Sequence, residues 1–186
     1  MKNLIVITGT PGVGKTTLCA QLKKKIPGSA LYNATDLVNE FKLYSGKDKF
    51  GAKIVKMKML ERKINQIIKK EDSKTIIFEG HVLADLKIKG AKAVVLREHL
   101  NTIKSRLLER GYPTEKIREN IVSEALDYCG ASCYDNYPNT YEIMNGKSAQ
   151  NKIISIIKGD CSQKSPAINL LEELVDIIKK DRKFAI

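Results

Sequence analysis

"GTPGVGKTT", residues 9–17, satisfies G-x-x-x-x-G-K-[ST], with Gly9, Gly14, Lys15 and Thr16 in the fixed places. The apolar run "NLIVIT" (3–8) before it reads as a buried strand, and Lys15–Lys25 after it reads as a helix. A glycine-rich turn between strand and helix lets successive N–H groups point inward at phosphate oxygens, and the helix adds its positive end. In that setting the backbone of Gly12, Val13, Gly14 and Lys15 cradles a triphosphate, with Thr16 and Thr17 opening the helix. The Lys15 ammonium then bridges the β- and γ-phosphates, and the Thr16 hydroxyl holds Mg²⁺. Binding of a Mg–nucleoside triphosphate follows, but no reaction does, because switches, motors and kinases share this loop. A GTPase switch is excluded: "NGKS" (145–148) has glycine between Asn145 and Lys147 and lacks the aspartate of an N-K-x-D motif.

Outward from the loop, the pattern alternates. Strand-type runs fall at 3–8, 30–33, 75–79, 92–97 and 140–144, and helical patterns at 15–25, 50–68, 99–110, 114–136 and 148–157. In 50–68, Phe50, Ile54, Met57, Leu60, Ile64 and Ile67 step by three or four, opposite Lys53, Lys56 and Lys63. Continuous apolar strands alternating with helices predict a parallel sheet covered on both faces. The expected fold is therefore an α/β P-loop NTPase three-layer sandwich, with a five-stranded parallel sheet and a short lid, in a single domain over 1–186. Polar "KGDCSQKS" (158–165) precedes a last helix, for which Ser165 and Pro166 supply an N-cap and first-turn proline. This appendix, 158–186, either docks on the domain or mediates assembly.

The composition excludes several classes. The chain has 186 residues, and its first apolar run is too short for a signal peptide. No apolar run approaches a membrane span, so no membrane partner and a cytoplasmic location are expected, nuclear if the source is eukaryotic. Cys19, Cys129, Cys133 and Cys161 show no framework spacing, as suits a reducing compartment. Cys129 and Cys133 lie one helical turn apart, but Cys129 continues the apolar series Ile117, Ile121, Ala125 and reads as core, not as a zinc ligand. The net charge of +12 favours polyanionic partners, yet no arginine-rich tract or aromatic–basic interleaving marks an RNA platform.

Two further stretches bear on the chemistry. In "TIIFEGHVL" (75–83) a strand runs into Glu79, Gly80 and His81 at the edge where doubly wound sheets gather ligands. There Glu79 can orient Mg²⁺ through its water shell or act on a nucleophile, and His81 can position a water. The other reading is an ordinary strand exit with a hydrogen-bonded histidine. Arg106 and Arg110, four apart, share one helical face, and by spacing alone they read as two solvated arginines on a helix. His99 reads as a solvated loop residue.

Taken in order, "TGTPGVGKTTL" (8–18), "EGH" (79–81), "VVLR" (94–97), "RGYPTEKIRENI" (110–121) and "NGKSAQN" (145–151) resemble the small-lid branch of the adenylate kinase superfamily, found in archaea and eukaryotic nuclei and linked there to ribosome small-subunit maturation. The resemblance implies a broad-specificity adenylate kinase, ATP + AMP giving two ADP, with accompanying ATPase activity. The alternative is an ATPase assembly factor for which AMP is incidental. It implies Lys15, Glu79, His81 and Arg110 as catalytic residues. It places ATP on the P-loop with Arg106, Arg110 and Lys147, and AMP on Asp36, Gly80 and His81 within a monophosphate region at 32–55. It sets the lid at 109–119, and Mg²⁺ on Thr16 with Glu79 acting through water. Partners would be ATP and AMP, with a small-subunit ribosomal protein or rRNA. Two departures stand out: Glu79 occupies a position where this branch usually has Asp, and the tail from about 158 onward extends past the resemblance. Residues 33–50 also lack the arginine by which ordinary adenylate kinases grip the AMP phosphate; this branch generally lacks it too, so the gap agrees with the resemblance while weakening the case for efficient AMP use.

Overall fold

Along β1 (Asn3–Thr8), Leu4 and Val6 enter one apolar core, Ile5 and Ile7 enter another, and all four are buried. A strand buried on both faces needs cover on both, and that requirement organises the whole molecule. The structure, a computed structural model, describes residues 2–160 and 168–181. After β1 come α1 (Lys15–Lys25), β2 (Ala30–Asn33), α2 (Ala34–Glu40), β3 (Tyr44–Lys47), β4 (Lys53–Val55), α3 (Met57–Lys70) and β5 (Thr75–Glu79). A 3-10 turn (His81–Asp85) leads to β6 (Ala91–Arg97), α4 (Leu100–Glu109), α5 (Thr114–Ala125), α6 (Tyr128–Asn136), β7 (Asn139–Met144), α7 (Ala149–Lys158) and α8 (Leu171–Lys180). The main sheet has the order β2-β5-β1-β6-β7, and its four pairings are all parallel. The expected P-loop NTPase sandwich is what the chain forms. Only residues 110–113 separate α4 from α5.

Two expected elements differ, and one further element appears. No helix runs from 50 to 68: β3 and β4 form an antiparallel hairpin, and α3 begins at Met57. The Asp48 carboxylate accepts the N–H groups of Phe50 (2.9 Å) and Ala52 (2.8 Å), and Gly51 adopts φ +80°. This turn chemistry outweighs the apolar spacing, so Phe50 lies in the turn and Ile54 is an exposed strand residue. The helix expected over 114–136 breaks at Leu126–Asp127. Asp127 takes a left-handed φ of +54° and caps α6 by accepting the Gly130 N–H. A short helix at 34–40 was not expected, although Asn33 caps it at Thr35 and Asp36.

The last helix starts at Leu171. Ser165, Pro166 and Cys161 lie outside the described residues. Among the described residues of the appendix, α8 docks on the domain. Glu173 accepts the Leu100 N–H at 2.9 Å and pairs with His99 Nδ1 at 2.7 Å, Lys104 pairs with Asp181 at 2.9 Å, and Ile177 is buried. His99 is the exposed loop residue expected, and in addition it is the N-cap residue of α4 and pairs with a carboxylate. Cys129 and Cys133 are buried in the core as free thiols, and no group of side chains suited to a metal occurs among the described residues. No helix among the described residues is long and apolar enough to cross a membrane.

Candidate active site

The P-loop runs from the end of β1 into α1. Gly9 adopts φ +132°, and a Cβ there would stand 2.3 Å from the Leu96 carbonyl oxygen of β6, so a side chain cannot be fitted. Gly14 caps α1 in the left-handed conformation without a side-chain bond, and the first turn has no acid. The N–H groups at the start of α1 therefore face an open recess with the helix's positive end behind them. Lys15 Nζ spans the loop, donating to the carbonyls of Gly9 (2.7 Å) and Thr10 (3.1 Å). Burial pushes its pKa below the usual lysine value, opposed by Glu79 and Glu124.

Beside the loop, Glu79 ends β5 with only 2% of its surface exposed. Its Oε1 accepts from the Thr16 hydroxyl at 3.0 Å and from the Asn33 amide. Asn33 uses its other side-chain atom to cap α2 at 2.7 Å, so one residue ties that helix to the buried acid. Gly80 turns away at φ +153°, where a Cβ would press on Ala34 at 2.7 Å. The Thr8 hydroxyl holds the His81 carbonyl at 3.1 Å, and the His81 ring lines the cleft. Desolvation of the ring by the cleft walls, with the Lys15 and Lys116 ammonium groups, pushes its pKa down to about 4 against the opposing Asp85 carboxylate, although the residue as a whole is exposed. It is therefore neutral at physiological pH, able to donate from one nitrogen and accept at the other.

Two recesses meet at this loop. One is lined by Lys15, Thr16, Glu79, Gly80 and His81, with Thr35 and Tyr112. The other, on the far side of Gly14, is lined by Thr17, Arg106, Asn145, Lys147 and Gln150. Arg110 lines both. Val13 is fully buried, and its backbone alone serves the loop, with its carbonyl accepting from Asn145 Nδ2 at 2.9 Å. Asp36 is not brought to the cleft. It is exposed in the first turn of α2, and Thr35 faces the recess instead.

Sequence reasoning missed the brace behind the loop. Arg106 Nη1 donates to the Gly12 carbonyl at 2.8 Å and pairs with Glu98 Oε2 at 3.0 Å. Asn145 Nδ2 reaches the same oxygen at 3.1 Å. Glu98 is thereby the common anchor of two residues that each hold a P-loop carbonyl. A second buried acid, Glu124, accepts from the Thr10 hydroxyl, from Arg97 Nε at 2.9 Å and from the Glu98 N–H at 3.2 Å. Arg97 also meets Glu142 at 2.8 Å and Asp127 at 2.5 Å, so the site rests on a fully partnered buried ion network. These contacts span up to 132 residues and leave no local pattern. Asn33, before a polar helix start, had a recognisable capping signature.

The sequence profile of the AAA domain matches residues 5–127. Archaeal proteins named "Putative adenylate kinase" are similar over most of the chain. The one from Methanocaldococcus jannaschii is 38% identical, covering 83% of this chain and 84% of the relative. That from Pyrococcus furiosus is 32% identical, covering 94% and 95%. Among solved structures, shikimate kinase from Acinetobacter baumannii in complex with shikimate superposes with a TM-score of 0.59 at 15% identity, covering 88% of this chain and 97% of that one. Shikimate kinase from Bacteroides thetaiotaomicron gives 0.54 at 15%, covering 84% and 95%. These structures share the fold.

Proposed function

We propose that this chain, which belongs to the AAA-domain family and to its group of archaeal adenylate kinase relatives, is a nucleoside-monophosphate kinase transferring the γ-phosphoryl of ATP to AMP, with a slower ATPase reaction. The observation that carries the reading is the position of Arg110, which lines the recess on each side of the P-loop. A guanidinium at that junction can follow a phosphoryl group from donor to acceptor.

In this reading ATP lies with its base in the recess of Arg106, Asn145 and Lys147 and its phosphates on Gly12–Thr17. AMP lies in the recess of Thr35, Gly80 and His81. The two oxygen donors Thr16 and Glu79, 3.0 Å apart, suit Mg²⁺, with Glu79 acting through a water. When bound, the ion neutralises charge on the β- and γ-phosphates. Glu79 orients the acceptor, Lys15 holds the phosphates, and the lid over 109–119, carrying Arg110 and Tyr112, excludes water. His81, neutral and at the mouth, positions the water used in hydrolysis.

A second reading is favoured by one feature: residues 33–50 contain no arginine to grip an acceptor phosphate. In it the ATPase is the physiological reaction and drives assembly with a small-subunit ribosomal protein or rRNA, and AMP phosphorylation is incidental. A coupled assay of ADP formation with and without AMP separates the two. Kinase function predicts a rate that rises at least tenfold on adding AMP. An unchanged rate selects the ATPase.

A further inference from the structure

Positive charge is not spread evenly along this chain. Residues 42–70 hold ten Lys and Arg against two Asp and Glu, and so carry eight of the twelve net positive charges. The remainder carries 23 against 19. A composition rich in lysine would raise charge everywhere, so this division calls for another cause. In three dimensions the stretch is the β3–β4 hairpin and α3, on the acceptor flank of the cleft.

The basic residues share a face. Leu60 and Ile64 turn one side of α3 into the core, which leaves Lys58, Arg62, Lys69 and Lys70 exposed on the other. The spacing of Lys58, Arg62 and Lys69 aligns them along about 16 Å of helix. Lys47 and Lys56 continue the face on the hairpin side. Among the described residues none of these six pairs with a carboxylate.

Aromatic rings lie among the cations, an interleaving that the linear sequence did not reveal. Beside the six, Lys63 sits 3.3 Å over the Phe41 ring and Lys53 4.3 Å over Tyr44; Phe50 lies between Lys116 and a Lys49 that is already paired with Glu115, and so is not part of the open face. Phe41 keeps 38% of its surface exposed and Met59, between the basic rows, 44%. Cations beside open apolar and aromatic faces match a strand of phosphates with bases free to stack. An acidic protein segment would use only the cations. An anionic bilayer would need a free apolar face, and that of α3 is already in the core.

We infer that this face of the hairpin and α3 docks a single-stranded nucleic acid. The inference extends the second reading above by naming the surface and its ligand class, but it rests on charge placement, and its test is separate from the kinase assay. The full chain is titrated against fluorescein-labelled twelve-nucleotide oligo(U) and oligo(A) RNA by anisotropy at several salt concentrations. ADP formation with AMP is measured on the same preparations. If four cations meet phosphates, log affinity falls with log salt at a slope of about −3. The triple variant Lys58→Glu/Arg62→Glu/Lys69→Glu should weaken binding at least thirtyfold and flatten the slope by about 2, with ADP formation and melting temperature unchanged. Phe41→Ala should weaken it about tenfold through lost stacking. Undetectable binding by the wild type, or equal binding by the triple variant, overturns the inference. So does a polyglutamate peptide that binds as tightly as the RNA while Phe41→Ala has no effect, because the surface would then be one for acidic protein. Intact RNA binding without AMP-dependent turnover sinks the kinase reading alone.

Discussion

Replacing Glu98 with Gln should raise the KM for ATP about tenfold while changing kcat less than threefold. Glu98 is buried, and a single oxygen receives both Arg106 (3.0 Å) and Asn145 (3.1 Å). A hydrogen bond to a charged group contributes roughly 1.5–3 kcal/mol and a neutral one about 0.5–1.5, so neutralising the acceptor weakens each contact by roughly 1 kcal/mol. Arg106 retains 34% side-chain exposure, and solvent screening reduces its share. The remaining loss of roughly 1.4 kcal/mol corresponds to a factor of ten in affinity. Arg106 and Asn145 line the recess proposed for the base and also hold the Gly12 and Val13 carbonyls. Loosening them therefore degrades ATP binding before it touches the transferring group. The assay is an ATP titration at saturating AMP on Glu98→Gln, Arg106→Lys and the double variant. Because both changes strike one contact, the double variant should be no more than twofold worse than the poorer single. A folded Glu98→Gln protein with unchanged KM, or losses that multiply in the double variant, would refute the reasoning.

Arg110→Lys keeps the charge but loses the planar fork, so kcat should fall at least tenfold while ATP binding changes by less than threefold; stopped-flow single turnovers read this directly. His81→Ala should depress AMP-independent hydrolysis more than AMP phosphorylation. Since the His81 pKa is pushed down to about 4, the His81 ring of the nucleotide-free protein should show no NMR titration between pH 6 and 8. An inflection near 6.5 that vanishes in the variant would contradict this. His99 is shifted the opposite way, upward, by its hydrogen bond to Glu173. Its raised folded pKa gives stability that is complete below the unfolded value of about 6.5 and lost as pH rises through the folded one. The melting-temperature gap between wild type and His99→Gln should therefore be wider at pH 6 than at pH 9.

The strands and the phosphate loop were legible because each rests on neighbouring residues. "NLIVIT" is apolar on both faces, and Gly9 to Thr16 have a fixed spacing before a helix. The hairpin at 44–55 was not legible, since Phe50 and Ile54 continue the helical spacing of α3 while Asp48 and Gly51 dictate a turn. The break at Asp127 has a long-range cause: its carboxylate is drawn to Arg97, thirty residues away. In the site, Lys15, Thr16, Glu79, His81, Arg106, Arg110 and Lys147 all fall at the two recesses. Asp36 does not, because the Asn33 cap starts α2 so that Thr35 faces inward. Glu98 and Glu124 escaped because a buried carboxylate is recognised only by partners the fold brings to it.

The central claim, transfer of phosphate between nucleotides at the junction held by Arg110, is tested most directly by following the label of γ-³²P-ATP in the presence of excess AMP and Mg²⁺. Resolved by thin-layer chromatography, the label should appear in the β-phosphate of ADP faster than in inorganic phosphate, and Lys15→Ala should abolish both. Label passing only to inorganic phosphate at a rate indifferent to AMP would contradict the account.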